Sequence, residues 1–153
     1  MTRSTLFALL VLALIQVALA LPFGYHKIFN VAANGVLKGG YAGTVPTVDE
    51  NVQDGPFAMW GIDALEDGAS IFMPPAGSFL NAVKGQVIVK GGPFKWVFQN
   101  AGYGQYLIKL PYDDLVLDWD EGTRKVSLRP ADGSDTQLWQ VPTSHSYSRM
   151  YYQ

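Results

Sequence analysis

The chain has 153 residues, nearly half of them apolar, a formal net charge of −2 and no cysteine. So small a charge excludes nucleic acid and an anionic membrane as electrostatic partners. The missing cysteines exclude disulfides and thiolate metal sites, so packing alone must stabilise the fold.

Arg3 is followed by the apolar run Leu6 to Ile15 and then by Ala18-Leu19-Ala20, a small-x-small cleavage site. That order predicts a secretory signal peptide over 1–20 and an extracellular product. Spanning a bilayer takes roughly 20 apolar residues, so no membrane attachment is expected after cleavage. The remaining 133 residues carry ten basic and thirteen acidic side chains. They suffice for one domain, 21–143, followed by a flexible polar tail, 144–153. Asn-x-Ser/Thr sequons are absent from the chain.

Inside the domain the elements repeat. Residues 25–37, "YHKIFNVAANGVL", read as strand, turn, strand, followed by a short strand in "TVPTV" (44–48) and another beginning at Trp60. The pattern returns in "GASIFMPPAGSFL" (68–80), "QVIVK" (86–90) and Trp96, and again in "QYLIKLPYDDLVL" (105–117), "KVSLR" (125–129) and Trp139. The three thirteen-residue blocks align without a gap. Their fourth position is Ile28, Ile71 and Ile108; their last is Leu37, Leu80 and Leu117. The turns carry Asn34-Gly35, Ala76-Gly77 and Asp113-Asp114, and Pro74 and Pro111 share a column at the end of the first strand. Gly and Pro interrupt every candidate helical period, whereas "VIV" at 87–89 and the alternation of 114–119 favour strands.

Three units of four strands, each about 40 residues long, specify an all-β fold, the β-trefoil. One unit cannot cover its own apolar face; three close a barrel and remove its edges. Trp60, Trp96 and Trp139 are then core residues at the entry of each unit's last strand.

Catalysis is not indicated. The histidines are His26 and His145, and the chain lacks G-x-S-x-G, H-x-x-x-H and C-x-x-C. Its "DWDEGTRKVSLR" resembles a calcium loop but has Leu128 where the bidentate glutamate belongs, so the acidic cluster reads as turns and no metal or cofactor is expected. Trp119 stands outside the repeated column and is expected to be an exposed stacking platform. With Asp118 and Gln137 it makes a candidate sugar site.

Gln137-Leu138-Trp139 is a Q-x-W triplet that resembles the repeats of ricin B-type lectins. Units one and two carry Ala58 and Phe94 in place of the glutamine. "YLIKLPYDDLVLDWD" (106–120) and "VSLRPADGSDTQLWQV" (126–141), together with the cysteine-free trefoil over 24–143, resemble the cospin-like fungal serine-protease inhibitors. That resemblance implies a serine-type endopeptidase inhibitor whose working loop is Lys38, Gly39, Gly40, Tyr41, Ala42 and Gly43; with the signal peptide, a secreted monomer is expected. Lys38 would suit a trypsin-like pocket and Tyr41 a chymotrypsin-like one. Three glycines in six residues predict a flexible loop. The alternative is a carbohydrate-binding module with glycans as partners.

Overall fold

A computed structural model describes residues 21–50 and 55–142. The expected signal peptide, the C-terminal tail and His145 lie outside the described residues.

The described residues form an all-β β-trefoil of three units. The first strand of unit 1 is broken into β1 (Gly24–His26) and β2 (Phe29–Asn30), and β3 (Gly35–Lys38), β4 (Thr47–Asp49) and β5 (Trp60–Leu65) follow. Unit 2 contains β6 (Gly68–Met73), β7 (Ser78–Val83), β8 (Gln86–Lys90) and β9 (Val97–Gly102). Unit 3 contains β10 (Gln105–Lys109), β11 (Leu115–Trp119), β12 (Val126–Pro130) and β13 (Trp139–Gln140). Short 3₁₀ turns occupy Pro74–Ala76 and Asp135–Gln137. Period-2 alternation shapes the strands: in β8, Val87 and Val89 are buried while Gln86 and Lys90 are exposed.

The barrel closes on itself. β5 pairs with β1 on one side and β6 on the other. Reciprocal hydrogen bonds between Ala69 and Trp96, 2.9 and 2.8 Å, tie β6 to the start of β9. β9 pairs with β10, β10 with β13, and β13 with β2. The break at Lys27-Ile28 is where the first strand leaves β5 and joins β3 and β13. The hairpins β3–β4, β7–β8 and β11–β12 form the cap. Unit 1 links the other two there: Gly43 N–H donates to Val89 O (2.7 Å), and Val126 N–H to Pro46 O (2.9 Å).

The core shows why leucine and tryptophan recur as a pair. The indole N–H of Trp60 donates to the Leu37 carbonyl at 2.9 Å, Trp96 to Leu80 at 2.9 Å and Trp139 to Leu117 at 3.1 Å. All six side chains are fully buried, as are Ile28, Ile71 and Ile108. A buried indole needs an acceptor, and each unit supplies it from the carbonyl of its own leucine. The residue before each leucine is less uniform: Val36 and Val116 are buried, but Phe79 is half-buried and tilts onto Phe72, centroids 5.0 Å apart.

Candidate functional site

The Lys38–Gly43 loop lies between β3 and β4, where the sequence places it, but it is pinned rather than slack. Gly39 N–H donates to Phe57 O (2.9 Å), Gly43 N–H to Val89 O (2.7 Å) and Thr44 N–H to Tyr41 O (3.1 Å). A Cβ on Gly39 would stand 2.8 Å from both Trp60 Cη2 and Met73 Cε, so this glycine lets the backbone lie against the core. Gly43 has φ +98°, a conformation that L side chains rarely adopt. These glycines serve close approach and turn shape, which corrects the expectation of a flexible loop. Lys38 is half-buried. Tyr41 is 67% exposed and meets Phe57 edge-on at 5.1 Å.

The second predicted set divides. Asp118 and Gln137 come together: Gln137 Nε2 donates to Asp118 Oδ2 at 3.0 Å and to Pro130 O at 2.9 Å, and Gln137 Oε1 accepts the Asp132 N–H at 2.9 Å. Both side chains are buried. Trp119 is not with them. Along β11 it shares a face with Leu117, two residues earlier, and belongs to the hydrophobic core. At 8% exposure it offers no stacking face, which corrects the platform assigned to it. Its Nε1 is buried without a partner, as is Ser127 Oγ.

Unit 3 departs here from its siblings. The residue after each repeat leucine is Lys38, Asn81 or Asp118, and the residue two before each tryptophan is Ala58, Phe94 or Gln137. Asn81 turns its amide to the carbonyls of Lys90 (3.3 Å) and Gly92 (3.1 Å). Asp118 instead holds a buried carboxylate against an amide. On β12, Ser127 is its cross-strand partner. Ser127 also lines an open cleft of about 420 Å³ together with Gln86, Asp120, Thr123, Lys125 and Arg129.

Charge at the rim of this cleft is organised by the hairpin tip. Asp120 accepts the N–H groups of Gly122 (2.9 Å) and Thr123 (3.1 Å), and the Arg129 guanidinium bonds its other oxygen at 3.0 Å. The Thr123 N–H above all, joined by the Gly122 N–H and by the charge and hydrogen bond of Arg129 against an opposing desolvation larger than any one of those three, holds the Asp120 carboxyl below the usual carboxylate range. The Ser134 hydroxyl and N–H lower Asp132 in the same way. Among the described residues no three His, Asp or Glu side chains gather as a metal site. His26 Nε2 lies 2.8 Å from Phe23 O.

A second open cleft, about 720 Å³, lies between β9 and the turn joining β10 to β11. Tyr112, 89% exposed, stands at its wall. The sequence reading passed over it. Its one local signal is an aromatic side chain set between Pro111 and Asp113 in a turn that needs none.

No family model and no curated protein sequence matches the chain. Solved structures do match it in fold. The designed threefold-symmetric protein ThreeFoil superposes with a TM-score of 0.71 at 18% identity, over 78% of this chain and 99% of that one. The Macrolepiota procera ricin B-like lectin, solved in complex with lactose, gives 0.66 at 18%, over 79% and 96%. The Rhizoctonia solani agglutinin gives 0.70 at 20%, over 80% and 96%. These likenesses establish the β-trefoil.

Proposed function

We propose that the protein is a carbohydrate-binding module similar in kind to the ricin B-like lectins, with its principal site on unit 3. The observation that carries this reading is the local break in threefold equivalence. Where the other units place Lys38 and Asn81, unit 3 builds a rigid Asp118–Gln137 pair, with an unpartnered Ser127 hydroxyl across the ladder. A buried hydroxyl without a partner costs stability, and a rotamer change of Ser127 toward the open cleft it lines would give it a ligand to bond, which supports a binding site there. Gln86, Asp120, Lys125 and Arg129 around that cleft offer both donors and acceptors, which is what the hydroxyls of a sugar require. Asp118 and Gln137 are the rigid support beneath rather than contacts at the rim. The Macrolepiota procera lectin, which shares the fold, binds lactose. The role proposed is recognition, not catalysis.

The test is a screen against an oligosaccharide array followed by calorimetric titration. At least one saccharide is expected to bind. Ser127→Ala, which removes a single hydrogen-bonding group, should weaken binding by about 1 kcal/mol, roughly fivefold. An array with no bound saccharide would reject the reading.

A second reading, serine-protease inhibition through Lys38–Gly43, is supported by the anchoring of that loop. Preorganisation spares a binding segment the entropy that a free peptide loses. Titration of trypsin, chymotrypsin and subtilisin distinguishes it: inhibition abolished by Lys38→Ala or Tyr41→Ala would favour it, and no inhibition at micromolar protein would dismiss it.

A further inference from the structure

We infer that the cleft walled by Tyr112 is a second saccharide site, one that takes a pyranose ring stacked on the tyrosine. The inference rests on the carbohydrate-binding reading but not on the Ser127 cleft, because the two clefts share no lining residue.

The argument begins with the aromatic ring. Tyr112 is 89% exposed in a turn where neither packing nor backbone geometry calls for an aromatic. Lys95 Nζ stands 5.9 Å from the ring centroid, over one face. That contact steadies the ring, and its exposure leaves the opposite face open. A steadied, open tyrosine face is what the C–H face of a pyranose stacks on, and its apolar area supplies the affinity that hydrogen bonds in water do not.

One polar group beside it is already oriented. Asn100 Oδ1 accepts the Gly102 N–H at 2.7 Å, so the amide NH₂ remains as a pair of donors. Asn100, Lys109, Asp113 and Asp114 all line the same cleft as Tyr112. Two carboxylates accept from adjacent hydroxyls, and one lysine and one amide donate, which matches the alternating donor and acceptor character of a sugar edge. Lys109 and the Lys95 ammonium over the ring balance Asp113 and Asp114, so the site carries no net charge and its fit to a sugar rests on stacking and hydrogen bonds. The cleft is also assembled across a unit boundary, β9 from unit 2 and the turn from unit 3. Its shape is held by the β9–β10 ladder and not by a loose loop.

The experiment is ligand-observed saturation-transfer NMR paired with a protein-observed titration followed residue by residue. The probes are galactose-, glucose- and mannose-terminated trisaccharides, with sialylated and sulfated counterparts. The proteins are the wild type, Tyr112→Ala, Tyr112→Phe and Ser127→Ala. A neutral probe should bind with Asn100 and Tyr112 signals shifting. Tyr112→Ala should weaken the event read at Asn100 at least tenfold, Tyr112→Phe should stay within threefold of wild type, and Ser127→Ala should weaken only the event read at 120–129. Tyr112 is exposed, so neither change at this position threatens folding. Binding that survives Tyr112→Ala but falls with Ser127→Ala would overturn this site and leave the wider reading standing. Binding of every probe, neutral or charged, that is insensitive to Tyr112→Ala would also overturn it. A wild-type protein that binds no saccharide would overturn both.

Discussion

Single residues in this chain carry opposite meanings according to what faces them. Gly39 resembles a source of slack until the Trp60 ring is placed beside it; it is then the residue that lets the loop lie flat on the core. Gly39→Ala should destabilise the protein by about 1–3 kcal/mol in chemical denaturation, because the new methyl must displace an indole or a methionine. A cost below about 0.5 kcal/mol would mean the loop is not seated on Trp60. Tyr103 presents the converse case. It sits at φ 55° with Gly104 at 73°, at the tip of the β9–β10 hairpin and 98% exposed. Positive φ at both central positions is the turn that favours Asn-Gly. Tyr103→Asn should therefore raise stability by about 0.5–1 kcal/mol, read as a shift in denaturation midpoint at constant m-value. Asp120 adds a pH dependence. Its folded pKa is lowered, so its contribution is present above the unfolded value and is lost as pH falls through the folded one. Acid titration followed by NMR should show the Gly122 and Thr123 amides moving together at a pH below the ordinary carboxylate range; movement within that range would deny the turn its cap.

At the scale of elements, the repeated unit was legible because its constraints are threefold. A barrel built from three copies must bury the same groups three times, so Ile28, Ile71 and Ile108 stand in one column and the leucine–tryptophan pairs in two more. What the sequence concealed was everything not repeated. Trp119 was read as exposed because it lies outside the tryptophan column. Its spacing of two from Leu117 already puts it on the core face, and period 2 outranks the column. The Tyr112 cleft was invisible because one wall comes from β9 and the other from the turn beyond β10, and neither segment alone is distinctive. Asp118 and Gln137 are grouped in the sequence around Trp119; the two do meet, but buried and without it. The difference between the tryptophans gives a direct check. Indole N–H protons of Trp60, Trp96 and Trp139 are bonded and fully buried, so they should exchange with solvent only on global unfolding. The Trp119 indole has no acceptor and should exchange faster. Equal protection of all four would contradict the assignment of its unpartnered Nε1.

For the whole molecule, symmetry and function are separable. The barrel needs its three units to bury equivalent groups, while what each unit presents at its surface is free to differ. Unit 1 differs by a pinned loop bearing Tyr41, and unit 3 by its buried carboxylate–amide pair and the hairpin that walls an open cleft. The fold is common to proteins of many roles, so the departures from symmetry carry the functional argument rather than the architecture. The most direct measurement is a saccharide titration followed across all backbone amides. Carbohydrate recognition by unit 3 predicts saturable shifts centred on 120–129, with a second group near Asn100 and Tyr112, and none in the Lys38–Gly43 loop. Shifts confined to that loop, or no shift with any saccharide, would contradict it.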